Sequence, residues 1–237
     1  LAGKIYIFSI VYLTGSSSES MNIKSYSFYP IDAKMYLLVE NHRAVILDPC
    51  VSEEAKEYLQ SENVEEIIVL LTHEHYDHIS GINWLRESFK RTKVICSEAC
   101  GAALGNPHKN LSEYYEILFS GKDEKTQEYV KNMNIQPYSC EADEIFNGKK
   151  EWNFESHKIV MQETPGHSKG SICILVDEKI LFSGDTLVTG HETILRLPGG
   201  SKKDFAGITL PYLESLDREI MVYPGHGEPQ KLKRFFD

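Results

Sequence analysis

The stretch Thr72-His73-Glu74-His75-Tyr76-Asp77-His78 constrains this chain most, because it brings three imidazoles and the Asp77 carboxylate into six residues. It directly follows residues 66–71, an apolar and β-branched run that predicts a buried parallel strand. A strand end is rigid, so side chains just beyond it can be held in a fixed arrangement. Alternate residues of an extended or turning backbone face the same way. We therefore expect His73 and His75 to converge on one point, and Asp77 and His78 to turn toward a second.

Neutral imidazole and carboxylate are the ligands that zinc, iron and manganese accept. The alternative interpretation is a histidine-rich surface loop, or core histidines satisfied by hydrogen bonds. For one such residue alone that alternative is the better one. Four of them at this spacing behind a buried strand favour a metal site, since short histidine-rich tracts are typical of metal binding.

Composition narrows the function classes. The 237 residues are 41% hydrophobic and carry a formal net charge of −10, which argues against a nucleic-acid partner and leaves a small-molecule substrate. No apolar run approaches the length that spans a bilayer. The five cysteines form no CxxC pair, and this scattered usage favours a reducing, cytoplasmic location. The sequence predicts no oligomeric state.

Residues 1–20 stand apart from the rest of the chain. Lys4 precedes a nine-residue apolar stretch and then a run of small residues, the layout of a poor signal peptide without a clear cleavage site. We interpret these residues as an extension outside the fold, with export as the minority alternative. Met21 then marks the start of the folded region.

From residue 22 onward, strand and helix patterns alternate and predict one layered α/β domain over residues 21–237. Strands are predicted at 23–29, 35–40, 43–47, 66–71, 92–97, 157–163, 171–176, 179–182 and 219–223. Helices are predicted at 52–61 with Ser52 as N-cap, at 81–89 and at 204–216. Residues 98–138 read as a helical insertion, whose aromatic face either packs on the core or shapes a pocket at a site rim.

Three further strand-like runs end in the same way, with a ligand-type residue beside glycine. His167 follows Thr164-Pro165-Gly166, Asp185 lies in Ser183-Gly184-Asp185-Thr186, and His226 follows Tyr223-Pro224-Gly225. Glycine lets the backbone approach closely or adopt a positive φ next to such a residue. Any one of these turns is common, but their joint occurrence after strands is highly specific.

With these motifs the chain resembles the metallo-β-lactamase superfamily, and within it the short, single-domain glyoxalase-II-like hydrolases. The resemblance covers about residues 22–229 and includes HxHxDH at 73–78, TPGHSKGS at 164–171, SGDT at 183–186, LPGGS at 197–201 and YPGHG at 223–227. It implies an αββα sandwich, in which two mixed β-sheets lie face to face with helices on the outer faces. It also implies that strand-end loops hold the metals along one edge.

Carried over residue by residue, the resemblance implies two divalent metal ions, with zinc favoured and iron or manganese as alternatives. The first would be bound by His73, His75 and His167, the second by Asp77, His78 and His226, and Asp185 would bridge them. A hydroxide shared by the metals would then attack a small acyl substrate, a thioester first and a lactone or other ester next. Asp77 would also orient this hydroxide and accept its proton, as a catalytic residue.

Departures from relatives keep alternatives open. The presence of His78 and Asp185 disfavours a β-lactamase. Many thioesterase-like members carry G-R-T-D at a position where this chain has Glu192-Thr193-Ile194-Leu195-Arg196, and this difference puts glutathione thioesters in doubt. One alternative is an iron oxidoreductase of the persulfide dioxygenase type that uses His73, His167 and Asp185. A second alternative is a metal-binding or scaffold protein without catalytic activity. The substrate-binding residues are not predicted.

Overall fold

The computed structural model describes residues 22–236, so the predicted extension at residues 1–20 lies outside the described range. The strands of this range are β1 (Ile23–Phe28), β2 (Ala33–Glu40), β3 (Arg43–Leu47), β4 (Glu66–Leu70), β5 (Thr92–Ser97), β6 (Glu144–Phe146), β7 (Lys149–Phe154), β8 (His157–Glu163), β9 (Ile172–Val176), β10 (Ile180–Gly184), β11 (Met221–Pro224) and β12 (Gln230–Lys231). Its α-helices are α1 (Glu53–Ser61), α2 (Tyr76–Ile79), α3 (Ile82–Ser88), α4 (Glu98–Leu104), α5 (Tyr115–Leu118), α6 (Glu124–Met133), α7 (Lys202–Asp204) and α8 (Leu210–Ser215).

Within residues 22–236 the strands form two mixed sheets of six. The first has the order β1-β2-β3-β4-β5-β6, antiparallel from β1 to β3 and parallel from β3 to β6. The second has the order β12-β11-β10-β9-β8-β7 and is antiparallel except for the parallel pair β10 and β11. Consecutive strands are therefore neighbours throughout each sheet.

The two faces of each sheet belong to different parts of the core. In β4, Ile68 and Leu70 lie in the cluster shared with the second sheet, whereas Ile67 and Val69 face the helices α1, α3 and α4. On the far side, Leu181 and Val222 of the second sheet pack with Leu213 of α8. The resulting order is helix, sheet, sheet, helix, and it confirms the predicted αββα sandwich.

The carboxyl ends of β4, β10 and β11 meet at one edge of the sandwich. There the Ile172 N–H donates to the Thr72 carbonyl at 2.8 Å, which joins the two sheets. A second link runs from the Lys34 N–H to the Gly225 carbonyl, also at 2.8 Å. This edge holds the loops that carry the predicted metal ligands.

Several local predictions are confirmed by their physical signatures. Helix α1 covers the predicted residues, and the Ser52 side chain accepts a hydrogen bond from the Ala55 N–H. The hairpin turns at 41–42 and 177–178 have positive φ at both central residues, the geometry that matches strand twist in tight hairpins. No helix in residues 22–236 is long and apolar enough to span a membrane.

Other elements differ from the prediction. Asp77 and His78 lie in the short helix α2, which was not among the predicted helices. The single helix expected at 204–216 contains a π-helical turn, Phe205–Thr209, just before Pro211, whose ring nitrogen cannot donate a helical hydrogen bond. Between 98 and 138 the chain forms α4, α5, α6 and a 3-10 turn at Ser112–Tyr114. Strands β6, β7 and β12 were not predicted. All three are edge strands; β6 and β12 have only three and two residues, and β7 has a mostly polar sequence.

Candidate metal centre

The structure brings the seven predicted ligand residues to the sandwich edge described above. Three groups of three residues each offer one ligand atom per residue within 4.8 Å of one another. Two are the predicted sets, His73, His75 and His167 and then Asp77, His78 and His226, and the third consists of Asp48, His73 and His78. Asp185 lies between the groups, because its Oδ2 is 3.5 Å from His167 Nε2 and 3.4 Å from His226 Nε2. Asp77 and His226, which are 149 positions apart in sequence, are thus adjacent in space, with 3.5 Å between Asp77 Oδ2 and His226 Nε2.

Four imidazoles have Nδ1 beside a hydrogen-bond acceptor outside the ligand set. His167 Nδ1 lies 2.9 Å from the Ile194 carbonyl, and His226 Nδ1 lies 2.8 Å from the Ile31 carbonyl. His78 Nδ1 lies 2.9 Å from Asp48 Oδ2, and His73 Nδ1 lies 3.0 Å from the Thr72 hydroxyl. These acceptors favour a proton on Nδ1, which leaves Nε2 as the metal-ligand nitrogen in the neutral ring.

Asp48 orients two of these rings, His78 by a direct contact and His73 through the Thr72 hydroxyl. It is buried, and its Oδ1 accepts the Thr72 N–H at 2.7 Å while its Oδ2 accepts the Thr72 hydroxyl at 2.5 Å. Because the Thr72 hydroxyl donates its own proton to Asp48, its oxygen can accept a hydrogen bond from His73 Nδ1. Asp48 Oδ2 accepts a second hydrogen bond, from His78 Nδ1. One carboxylate thus orients an imidazole of each group.

The two groups differ in their electrostatics. Burial, together with neighbouring imidazoles, lowers the pKa of His73 well below its usual range and lowers that of His75 to about 3. Burial also lowers the pKa of His226, but the carboxylates of Asp185 and Asp77 outweigh it and raise this pKa to about 10. The carboxylates therefore favour positive charge at the second group, while the first offers neutral nitrogen ligands.

The residues fit divalent cations. Within residues 22–236, His73 Nε2 and Asp185 Oδ1 are buried and make no hydrogen bond. Such atoms are rare in folded proteins because each lost hydrogen bond costs free energy. Imidazole nitrogen and carboxylate oxygen are ligands of zinc, iron and manganese, so cations would satisfy both atoms.

Sequence reasoning missed two supporting residues of this site. Asp48 follows β3, the parallel neighbour of β4, and a rule applied to carboxylates after buried strands would have found it. Glu74 is buried and turned away from the ligand nitrogens, and its Oε2 accepts the Ser168 hydroxyl at 2.9 Å. This bond ties the HxHxDH loop to the loop that carries His167.

The remaining histidines lie away from the seven. His42 is in the hairpin turn, His108 is exposed beside Glu113, and His157 pairs with Asp177 at the start of β8. His191 is exposed on the loop after Asp185 and lines an open groove of about 540 Å³.

Comparison with known proteins agrees with this geometry. The chain is 29% identical over 196 residues to a probable metallo-hydrolase of Streptococcus pyogenes serotype M6, covering 81% of this chain and 78% of that protein. It is 27% identical to the hydroxyacylglutathione hydrolase of Francisella philomiragia, covering 81% of this chain and 61% of that protein. The crystal structure of the BLEG-1 B3 metallo-β-lactamase superposes with a TM-score of 0.71 at 26% identity, covering 90% of this chain and 95% of that one.

The sequence profile that describes the metallo-β-lactamase superfamily matches residues 29–226, a span that includes all seven residues of the candidate centre. The match also includes most of the strands of both sheets. The chain therefore belongs to the metallo-β-lactamase superfamily.

Proposed function

We propose that this protein is a two-metal hydrolase of small acyl substrates, with thioesters first and lactones or other esters next. The observation that carries the proposal is the orientation of His73, His78, His167 and His226. Their Nδ1 atoms lie beside acceptors, which leaves Nε2 of each ring for a metal. Structural histidines in a core have no need of such a shared orientation. We assign this centre to a single domain over residues 21–237.

In this proposal His73, His75 and His167 hold the first metal, and Asp77, His78 and His226 hold the second. Asp185 is shared, which its position 3.5 Å and 3.4 Å from His167 Nε2 and His226 Nε2 supports. Zinc is the favoured metal because every ligand is a nitrogen or oxygen donor that zinc accepts. Iron and manganese accept the same set.

When bound, two divalent cations supply Lewis acidity and lower the pKa of water. The chain's own residues supply orientation. The contacts of Asp77 with His78 and His226 both use Oδ2, at 3.5 Å, which leaves Oδ1 to orient the attacking water and hold its proton. Asp77 thus has a role in catalysis beyond metal binding.

A groove near the turn that carries His167 is the place that we propose for the acyl group. It has a volume of about 540 Å³ and is lined by residues that include Leu195 and Phe205. Phe205 lies against Gly166, the residue before His167, so closely that an added Cβ on this glycine would lie 2.7 Å from Phe205 Cβ. Phe205 therefore connects the groove to the turn that carries His167.

The similar proteins support substrate classes without fixing one. The name of the Francisella relative specifies an acyl-glutathione substrate, which favours a thioester. The BLEG-1 structure is that of a β-lactamase, so β-lactams belong among the substrates to be tested. Both are cleavages of an acyl bond by water, the reaction class proposed here.

The test is metal analysis of the purified protein alongside a panel of S-lactoylglutathione, an acyl-coenzyme A, a lactone, a β-lactam and a phosphodiester. We expect two metal equivalents and metal-dependent hydrolysis of an acyl substrate. Asp77→Ala should abolish turnover while the fold is retained. Asp177→Ala, which removes a distant surface carboxylate, should leave turnover unchanged. One tightly held iron with oxygen uptake on a persulfide would replace the proposal with the oxidoreductase. Bound metal without turnover on any substrate would favour the non-catalytic alternative.

A further inference from the structure

The segment between β5 and β6 buries one hydroxyl that the proposed mechanism does not use. Tyr115 begins α5 and is 2% exposed. Its hydroxyl is buried and makes no hydrogen bond to any residue in the range 22–236. A buried hydroxyl without a partner costs free energy, so its retention calls for an explanation.

Aromatic packing fixes the ring of Tyr115. It meets Tyr76 with ring centroids 5.2 Å apart, Phe119 at 5.2 Å and Phe28 at 6.2 Å. Tyr76 is the residue between His75 and Asp77, so Tyr115 packs directly on the HxHxDH loop. Tyr115 therefore packs in a small core with Phe119 and Val130, and its ring also contacts the loop that carries His75 and Asp77.

Backbone contacts hold the segment in the same place. The Tyr76 N–H donates to the Asn110 carbonyl at 2.8 Å. Asn110 is fully buried, and its side-chain amide donates to the carbonyls of Leu104 at 3.0 Å and Tyr138 at 2.9 Å. The chain then turns through Leu111 at a φ of 65° into the 3-10 turn that precedes Tyr115. The tyrosine is therefore positioned by both ends of its segment.

The carboxylates of the candidate centre are close enough to the Tyr115 hydroxyl to affect its pKa. Burial is the largest cause that raises the pKa of Tyr115, and the negative charges of Asp77 and Asp185 raise it further. Both are residues of the candidate centre, so the hydroxyl lies within electrostatic reach of it. A neutral phenol in this position keeps its proton and is a hydrogen-bond donor.

We propose that the Tyr115 hydroxyl donates a hydrogen bond to the acyl oxygen of the bound substrate, which makes Tyr115 a catalytic residue. This inference rests on the proposed acyl hydrolysis. The hydrogen bond strengthens as negative charge develops on that oxygen, so it stabilises the transition state more than the bound substrate. The donor comes from the helical segment rather than from the strand-end loops that carry the metal ligands.

The first experiment compares Tyr115→Phe with Tyr212→Phe. Both variants remove a buried hydroxyl that makes no hydrogen bond within residues 22–236, but no carboxylate of the centre affects the pKa of Tyr212. We expect Tyr115→Phe to lower kcat about 10²-fold, with metal content and Tm as in the wild type. Tyr212→Phe should leave kcat unchanged. A normal kcat in Tyr115→Phe, or a loss of Tm or metal that explains a lower kcat, would overturn the inference.

A second measurement does not depend on turnover. The protein is loaded with Co²⁺ and titrated with acetate, whose carboxylate oxygens resemble the acyl oxygen, while the visible absorption of the metal is followed. We expect acetate to bind about 10-fold more weakly to Tyr115→Phe than to the wild type and Tyr212→Phe. Equal dissociation constants would refute a donor role. If the wild type hydrolyses no acyl substrate, the proposed function fails, and this titration still decides whether Tyr115 donates to an oxygen ligand at the centre.

Discussion

Replacement of Asp48 by asparagine tests whether one buried carboxylate sets the imidazole orientation in both ligand groups. Asp48 is 3% exposed and accepts from Thr72 and His78. Asparagine keeps the shape and retains an oxygen for the Thr72 N–H. Its amide group, however, places a donor where Oδ2 now accepts from the Thr72 hydroxyl and from His78 Nδ1. Two hydrogen bonds to a charged group are lost, and His78 is free to change tautomer or turn.

The magnitude follows from those bonds. Each hydrogen bond to a charged group contributes about 1.5 kcal/mol or more, so we expect the free energy of unfolding of the metal-free variant to fall by about 3 kcal/mol. Loss of a residue that orients a metal ligand typically costs about 10- to 100-fold in metal affinity. We expect the dissociation constant for zinc to rise by that factor.

The assay is a zinc competition titration against a chromophoric chelator, combined with urea unfolding of the metal-free proteins. Asp177→Asn is the matched control, because Asp177 also accepts from a histidine Nδ1, that of His157 at 2.6 Å, and from a backbone N–H, that of Lys158 at 2.9 Å. It lies in a surface hairpin, so its replacement should leave zinc affinity unchanged. Equal zinc affinities in Asp48→Asn and the wild type would refute the orienting role.

Three further changes test other parts of the structure. Gly225→Ala places a Cβ 2.2 Å from a carboxylate oxygen of Asp185, so both Tm and the amount of bound metal should fall. The control is Gly121→Ala, which should change neither, because no atom in residues 22–236 lies within 4 Å of the added Cβ. A Gly225→Ala protein with full metal content would contradict this packing. Ser52→Ala removes the α1 cap and should lower the free energy of unfolding by about 1 kcal/mol in urea denaturation, with no change counting against the cap. Burial raises the pKa to about 12 for three thiols, those of Cys50, Cys140 and Cys173. Iodoacetamide at pH 8 should therefore label the native protein slowly and the unfolded protein rapidly. Fast labelling of the native protein would contradict the burial of these thiols.

Local signals explain which elements could be predicted from the sequence. The bounds of α1 followed from Ser52 and two acidic residues in the first turn, and β4 followed from its apolar run. By contrast, β7 is an edge strand whose exposed and half-buried residues alternate as Lys149-Lys150-Glu151-Trp152-Asn153. Only its pairing with β8 makes it a strand, and that pairing is not a local property of the sequence.

The residues of the candidate site also differ in whether they could be predicted from the sequence. The seven residues could be identified because each lies in a short motif at a strand end, where rigid backbone and glycine limit the geometry. Tyr115 could not be singled out among the aromatic residues of its segment. Its position depends on Asn110, whose buried side-chain amide donates to two backbone carbonyls, and on the left-handed backbone at Leu111. Neither property can be deduced from residue type alone.

The two sheets contribute unequally to the centre, and this bears on whether the metals assemble it. Four ligands, those of the HxHxDH motif, follow β4 of the first sheet, whereas three, His167, Asp185 and His226, follow β8, β10 and β11 of the second. At this edge the sheets are already joined by hydrogen bonds between Ile172 and Thr72 and between Lys34 and Gly225. The Tyr36 hydroxyl adds a third link, to the Pro224 carbonyl at 2.7 Å. Because these links use no metal ligand, they hold the ligand loops in place without cations, and loss of one ligand should weaken metal binding far more than it weakens the fold.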